Sequence, residues 1–531
     1  MKGGEAVVAA LIREGVRVVF GIPGVHTLEI YDALYRHPEL QHIVARHEQG
    51  AAFMADGYAR ASGEVGVILA ITGPGVTNAS TGLGQAYADG SPVLLISSEV
   101  DSRYRGQGNL HELKDQLAMM RAITKWSAQA DRVAQIPGLI HEAMVRAKAG
   151  WPGPVHVQIP TDVLSAEEDV PLPPVSVPRP ALANPEDAAR AAELLRGSER
   201  PVVYAGWGVH TAGANEELAD LAGRLQAPVL TDPVGKGAIP EDHPLSLGNA
   251  WQEGAQVRQI VAGADVGLVV GARLGSMETR GGTLPLPKRL IQIDPEPWAI
   301  GQRYPVEVGL AGDPKAVLRQ LLDELGSLSR PSRAAEVAAA RAEVAHQVGA
   351  RSPEISQLLA DLRGAMERRA ILSLDMTIPG YWASTHFPVY EPRTFLNPHN
   401  FMALGTGLPA GIGARIACPD RPVVVACGDG GFLFTAQEMA TAVQYRLDLC
   451  VVLFNNDCYG AIRRNQQRRC EGRIIDAELV NPDFVRFAES FGIRAVRLES
   501  FRELRPALAE ALRARELRLI EVPIHQLTPP W

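Results

Sequence analysis

The chain has 531 residues, 46% of them hydrophobic and 21% charged, the composition of a soluble globular protein with room for about three domains, each with its own core. Its 52 Lys and Arg against 60 Asp and Glu give a formal charge of −8 with no basic cluster, so a nucleic-acid partner is not expected. Five cysteines in no metal-ligand spacing fit a reducing compartment better than a disulfide scaffold, and no run of about 18 apolar residues is present to span a membrane.

The opening stretch MKGGEAVVAALIREG carries charges at Glu5, Arg13 and Glu14 and reads as a helix, not a signal sequence, which makes the cytoplasm the expected location. Apolar strands follow at Val18–Phe20, Val67–Ile71 and Val93–Ser97, each before a glycine-rich turn; His26 sits in the first of these turns. Between them, Arg46-His47-Glu48 opens a run with helical periodicity, AAFMADGYARASG. A Glu at the start of an apolar helix has a plain explanation in the positive potential of the helix N-terminus. Residues 162 to 186 are proline-rich and read as a linker. The segments PVVYAGWGVHTAG, ADVGLVVGARLG and RLIQIDPEP repeat strand, glycine turn and helix, a pattern that serves any doubly wound sheet and is read as structural. Residues 326 to 353 read as a helical connector, followed by strands at Ile371–Leu374, Val423–Ala426 and Leu449–Phe454. The alternation predicts an α/β protein of three doubly wound parallel-sheet domains, near 1–165, 185–330 and 353–531.

The most informative stretch is Gly428-Asp429-Gly430, followed after one helix and one strand by Asn455-Asn456. An apolar strand delivers an Asp to its carboxyl end between glycines that let backbone approach a ligand, and a second strand ends in two amides. Ligands of parallel sheets sit outside the carboxyl ends of the strands. A carboxylate, an amide oxygen and a backbone carbonyl there make a hard oxygen site suited to Mg²⁺ that is completed by phosphates. The pairing resembles the motif of thiamine diphosphate-dependent enzymes, GDG followed by NN.

Other segments extend the resemblance over nearly the whole chain. The run from Arg46 resembles the pyrimidine-domain signature, which implies that Glu48 hydrogen-bonds the aminopyrimidine ring and promotes removal of the thiazolium C2 proton. GIPGVHTLEIYDAL (Gly21 to Leu34) and TGPGVTNASTGLGQAYADGSPVLLIS (Thr72 to Ser97) resemble the acetohydroxyacid synthase, pyruvate oxidase and benzoylformate decarboxylase group, which places Thr72, Pro74 and Asn78 beside the cofactor. FMALGTGLPAGIGA (Phe401 to Ala414) matches the segment that seats it: Leu404 is by position the wedge that bends thiamine, and backbone groups of Met402 and Leu404 hold the pyrimidine edge. Asp375 to Ile378 matches a turn that holds the diphosphate, with Met376 and Thr377 as contacts. Gly428, Asp429, Gly430, Gly431, Asn456, Tyr459, Gly460 and Ala461 complete the implied cofactor site, with Asp429, Asn456 and the carbonyl of Cys458 as Mg²⁺ ligands. Family members place the cofactor between the first domain of one subunit and the last domain of another, so the resemblance implies a homodimer at least, and commonly a tetramer.

The cofactor serves many reactions, so the protein selects substrate and outcome. In the family a 2-oxo acid loses CO₂ to give an enamine; protonation yields an aldehyde, a second carbonyl yields a carboligation product, and oxidation requires flavin. Here Ile71 stands where benzoylformate decarboxylase carries its His, and His111-Glu112 where pyruvate decarboxylase has a His-His pair. GNAWQE (Gly248 to Glu253) replaces the Met-His-Gly segment of the synthase's FAD-holding domain, which argues against FAD. GNLHELKDQLAMMRAITKWS (Gly108 to Ser127) looks most like 5-guanidino-2-oxopentanoate (2-ketoarginine) decarboxylase-like members, beside acetolactate synthase-like ones. Glu112 and Asp115 either meet a cationic substrate tail or decorate a solvated helix. His111 suits proton delivery to the enamine, with His26 facing the same cleft. Ile462 and Arg464 are candidates for the substrate pocket, although a cation there favours a carboxylate over a guanidinium; the surrounding arginines also read as a solvated or subunit-contact face. The expected activity is thiamine diphosphate- and Mg²⁺-dependent decarboxylation of a 2-oxo acid via an enamine, with carboligation as a side activity. The alternatives are an acetolactate synthase-type transferase joining two 2-oxo acids, and a non-catalytic cofactor-binding subunit, against which the presence of Glu48, Asp429 and Asn456 argues.

Overall fold

Strands that are apolar at every position, not only at alternate ones, need cover on both faces, and this chain supplies it with helices. The computed structural model describes residues 1–531 except 173, 177, 178, 253, 526 and 531; Glu253 of the GNAWQE segment and three positions of the 162–186 linker therefore lie outside the described residues. Among the described residues, eighteen strands form three six-stranded sheets whose pairings are all parallel.

The first sheet holds β1 (Val18–Gly21), β2 (Gln41–Val44), β3 (Gly66–Ala70), β4 (Val93–Glu99), β5 (Trp126–Gln129) and β6 (Val155–Pro160) in the order β2-β1-β3-β4-β6-β5. The second holds β7 (Val202–Ala205), β8 (Val229–Thr231), β9 (Ser246–Asn249), β10 (Val266–Val270), β11 (Arg289–Asp294) and β12 (Val308–Ala311) in the order β12-β11-β10-β7-β8-β9. The third holds β13 (Ile371–Leu374), β14 (Phe395–Leu396), β15 (Val423–Gly428), β16 (Cys450–Asn455), β17 (Arg494–Arg497) and β18 (Arg518–Pro523) in the order β14-β13-β15-β16-β18-β17. The outer sheets thus share one topology, and the middle sheet has the two-halved order of a dinucleotide-type fold. The expected α/β architecture of three doubly wound parallel sheets is what the chain adopts. The 326–353 connector contains an 18-residue helix, Ala334–Arg351.

The outer sheets share one hydrophobic core, which runs from Phe20, Ile43 and Ile68 through Met54 to Leu408, Val423 and Leu453. Its centre is the crossing of the Glu48–Ser62 helix with the Gly407–Ala417 helix. The two backbones touch at glycines: a Cβ at Gly57 would stand 2.1 Å from the Ala410 carbonyl oxygen, and one at Gly413 would stand 1.9 Å from that of Met54. Only hydrogen fits at those two positions. No described helix is long and apolar enough to cross a membrane.

Candidate active site

In an order such as β2-β1-β3-β4, successive connections leave to opposite faces at β1 and β3, and a crevice opens beyond their carboxyl ends. The first sheet fills that crevice with predicted site residues. After β1 the chain turns into Val25–Thr27, carrying His26; after β3 it turns at Thr72–Gly73 into the Pro74–Asp89 helix; after β4 a loop brings in His111. Gly73, at φ +67°, would put a Cβ 2.3 Å from the His111 carbonyl oxygen, and a Cβ at Gly75 would lie 3.4 Å from Glu48 Oε1. The turn therefore sits between the imidazole and the carboxylate.

Glu48 is buried in the first turn of its helix. Its Oε2 accepts a hydrogen bond from Asn78 Nδ2 at 2.9 Å, which fixes the carboxylate and leaves Oε1 towards Gly75. The His26 and His111 rings meet edge to face with centroids 5.5 Å apart, and the buried Nδ1 of each has no hydrogen-bond partner among the described residues. Burial, and secondarily His111, holds the His26 imidazole below its ordinary value. His111 itself adopts φ +64°, a region costly for a residue with a Cβ.

Thr72 is sealed from the crevice. Its hydroxyl donates to Gln116 Oε1 at 2.8 Å, an oxygen that also accepts from the Gly73 N–H at 3.0 Å. The Gln116 amide in turn donates to the Ser98 carbonyl at 3.0 Å and is itself buried. Gln116 thus clamps the turn on which Pro74 begins its helix; as one polar residue in an amphipathic run, it carried no signal of this. Glu112 and Asp115 are used locally. Glu112 accepts from the backbone N–H of Gly106, and from those of Gly108 and Asn109, both at 2.9 Å, while Asp115 caps a short helix by accepting from Ala118 N–H at 2.8 Å. Glu112 is held below the usual carboxylate range by those backbone donors.

The third sheet repeats the crevice between β13 and β15. A cavity of about 230 Å³ there is lined by Met376, Thr377, Met402, Leu404, Gly428 to Gly431, Asn456, Cys458 to Ala461 and Ile462. Glycine is needed at its floor: a Cβ at Gly430 would lie 2.6 Å from the Tyr459 ring, and one at Gly460 would lie 2.8 Å from Asn456 Nδ2. No described residue of the first sheet's half lines this cavity, so one chain brings together Glu48, Asn78, His26 and His111 in one place and the remaining set in another. Arg464 does not line it either. Two residues apart on a helix, Ile462 and Arg464 point about 200° apart, and Arg464 faces a neighbouring cavity of about 370 Å³ with His525 and Arg463.

At one edge of the 230 Å³ cavity three polar groups converge. One terminal atom of the Asn456 amide lies 3.1 Å from the Cys458 carbonyl oxygen and 3.3 Å from Asp429 Oδ1. Turned with its NH₂ inward, Asn456 donates to both; turned with its oxygen inward, it completes a cluster of three oxygens that only a cation can reconcile. That donor set, a carboxylate, an amide and a carbonyl, suits Mg²⁺. Burial raises the Asp429 carboxyl, and a hydrogen bond from Asn481 opposes the shift. The Cys458 thiol is pushed up to about 11 by burial and by Asp429, so Cys458 offers its carbonyl and no thiolate. Asn481 was not foreseen from the sequence. Its Nδ2 donates to Asp429 Oδ2 at 2.8 Å and to Asp457 Oδ1 at 2.9 Å, aiming the Asp429 carboxylate. Asn455 is structural: its amide donates to Glu521 at 2.9 Å, and its oxygen accepts the Asp457 N–H. Asp375 is buried and gathers the N–H groups of Met376, Gly405 and Gly407, with burial lifting its carboxyl to about 6. It therefore shapes the loop that presents Met402 (φ +55°) and Leu404.

Comparison with known proteins agrees with this geometry. Residues 1–119 match the thiamine pyrophosphate enzyme N-terminal TPP binding domain, residues 188–321 its central domain, and residues 375–522 its C-terminal TPP binding domain. The chain therefore belongs to the thiamine pyrophosphate enzyme family. It is 41% identical to a probable 2-ketoarginine decarboxylase of Pseudomonas aeruginosa, over 98% of this chain and 94% of that protein. It is 36% identical to a probable acetolactate synthase large subunit of Methanocaldococcus jannaschii (99% and 92% covered) and 33% identical to the acetolactate synthase isozyme 3 large subunit of Escherichia coli (99% and 94% covered).

Proposed function

We propose that the protein is a thiamine diphosphate- and Mg²⁺-dependent decarboxylase of a small 2-oxo acid, working as a homodimer or a dimer of dimers. The observation that carries this reading is the convergence of Asp429, Asn456 and the Cys458 carbonyl on one point at the edge of a glycine-floored cavity. When bound, thiamine diphosphate supplies an electron sink for the carbanion left by loss of CO₂. The chain's own groups do the rest. The three oxygens would hold Mg²⁺ against the diphosphate, and Asn481 keeps Asp429 in register. Met376, Thr377 and the backbone of Gly428 to Gly431 would hold the diphosphate, and Leu404, Met402, Tyr459, Gly460 and Ala461, which line the same cavity, would hold the rest of the cofactor. Glu48, pinned by Asn78, would meet the aminopyrimidine with its other oxygen, Oε1, and would hold the proton shared with it. His26 and His111, with unpartnered Nδ1 atoms, deliver the proton that completes an aldehyde product.

Residues 1–165 act as the pyrimidine-binding domain, 185–330 as a central domain and 353–531 as the diphosphate-binding domain. The separation of the two residue sets in one chain supports pairing of Glu48 of one subunit with the cavity of another. Exposed apolar side chains border both sets: Val25, Leu28 and Leu110 around the histidines, and Phe401, Phe434 and Ile462 around the cavity. FAD has no part in this reading. In the central domain the helix after β7 packs tightly on the neighbouring strand end, a Cβ at Gly208 standing 2.5 Å from Gly271 Cα, and the buried Trp207 donates from Nε1 to the Gly90 carbonyl at 2.9 Å.

The test is release of CO₂ by the purified protein with thiamine diphosphate and Mg²⁺, over pyruvate, branched-chain and aromatic 2-oxo acids and 5-guanidino-2-oxopentanoate, with products identified by mass. An aldehyde from one acid supports the reading and names the pocket. Acetolactate from pyruvate transfers the case to a synthase, the activity named for the archaeal and enterobacterial relatives.

A further inference from the structure

The segment that delivers Glu48 is held from the other half of the chain. A helix N-terminus leaves backbone N–H groups without intrahelical partners. The His47 side chain serves one of them, accepting from Gln49 N–H at 3.1 Å. Just upstream, the N–H groups of Arg46 and His47 donate to Glu438 Oε1 at 3.1 and 3.0 Å, and that of Arg46 also reaches Oε2 at 3.2 Å. Glu438 lies nine residues beyond Asp429, is wholly buried, and accepts the Thr441 hydroxyl at 2.7 Å on Oε2. Gly50, on the facing side, has room for hydrogen alone, since a Cβ there would stand 2.3 Å from Glu438 Oε1. The grip continues along the next turn. Tyr445 Oη accepts the Val44 N–H at 2.8 Å and donates to the His42 carbonyl at 3.1 Å, and Gln444 accepts from Arg46 Nη2 at 2.6 Å. Residues 438–445 thus hold residues 42–50 mainly by backbone.

We propose that Glu438 is a positioning residue for Glu48: from the C-terminal half it fixes the backbone of Arg46 and His47, and with it the first helical turn from which the Glu48 carboxylate is aimed. The inference rests on the reading of Glu48 as the activating acid. Its physical basis is distance sensitivity, because a misplacement of about 1 Å in a positioned group costs about a hundredfold in rate.

Two measurements test it. In the cofactor-free protein, Glu438→Ala leaves two amides without an acceptor, and hydrogen exchange of the 42–50 peptide rises by roughly tenfold or more. In the protein loaded with thiamine diphosphate and Mg²⁺, exchange of the cofactor C2 hydrogen for deuterium slows by roughly tenfold or more, with cofactor affinity unchanged. Glu438→Gln keeps one oxygen towards both amides, with its NH₂ towards the Thr441 hydroxyl, and holds C2 exchange within about threefold of wild type. Gly50→Ala pushes the same carboxylate from the helix side and slows C2 exchange although Ala is the better helix former. Wild-type C2 exchange in both Glu438→Ala and Gly50→Ala overturns the proposal, as does a Glu438→Gln protein as slow as Glu438→Ala. Glu48→Gln separates the two readings. If it retains the wild-type C2 rate, the role of Glu48 fails; if it alone is slow, Glu48 keeps its role and Glu438 loses this one.

Discussion

The first and third sheets have the same strand order, and each opens its crevice between its first and second central strands, yet they equip that crevice for opposite tasks. The third sheet offers glycines, a carboxylate and carbonyls, a surface that backbone and a cation can share with phosphate. The first offers Glu48, His26 and His111, a carboxylate fixed by Asn78 and two imidazoles in edge-to-face contact, all of them titratable. One topology thus provides two pedestals, and the chemistry resides in the turns placed on them. The middle sheet has a different order, β12-β11-β10-β7-β8-β9, and its Trp207 is tied to the first domain by a hydrogen bond to the Gly90 carbonyl.

If the division of labour is right, damage on the two sides separates by readout. Asp429→Ala removes the only carboxylate of the oxygen cluster and lowers Mg²⁺-dependent cofactor affinity by more than about a hundredfold, measured by titration calorimetry. Glu48→Gln retains cofactor binding but loses about a hundredfold to ten-thousandfold in turnover. Wild-type turnover in that variant would break the assignment of proton chemistry to the first sheet, and unchanged affinity in Asp429→Ala would break the metal assignment to the third.

A smaller loss sharpens each side. His111→Ala lowers kcat by about a hundredfold in an aldehyde-forming assay. It also moves upward the limb of the pH profile that reports His26, because His111 is the lesser of the two causes holding His26 below 6.5. Asn481→Ala weakens Mg²⁺ by about tenfold to a hundredfold, with kcat at saturating metal little changed, since it reaches the oxygen cluster through Asp429.

The smallest expected effect concerns stability. His156, in β6 of the first sheet, is wholly buried and held at about 3 by that burial. The unfolded chain takes up this proton below 6.5 while the folded chain refuses it until about 3, so the associated stability is complete above pH 6.5 and is lost as pH falls through that window. The matching strand of the third sheet, β18, instead buries Glu521 against Arg497 and Asn455. His156→Gln flattens the fall of Tm between pH 6.5 and pH 4, and an unaltered slope would show that other buried histidines dominate.

Much of the site was legible before the fold was known. Asp429 directly follows β15, and Asn456 and Cys458 follow β16; these adjacent strands are joined by short helical segments, so local order alone brings the three residues to neighbouring strand ends. Glu48 was legible only through resemblance, as a Glu opening a helix has an ordinary electrostatic explanation. The roles of Gln116, Asn481 and Glu438 had no local signature, because each depends on a partner dozens to hundreds of residues away. Glu112 and Asp115 read equally as substrate contacts or surface charges, and the backbone around them decides for loop and cap.

By itself, then, the sequence determined the three parallel sheets and the metal-type oxygen cluster, because apolar runs and glycine turns impose strand, crossover and crevice wherever they occur. Tertiary structure alone decided that Arg464 lines a cavity adjoining the glycine-floored one and sharing Asn456, Cys458 and Gly460 with it, that Thr72 is sealed by Gln116, and that Glu48 and Asp429 of one chain occupy separate places. Those outcomes depend on which way a helix face turns and which distant backbone groups need partners, and neither is set by spacing along the chain.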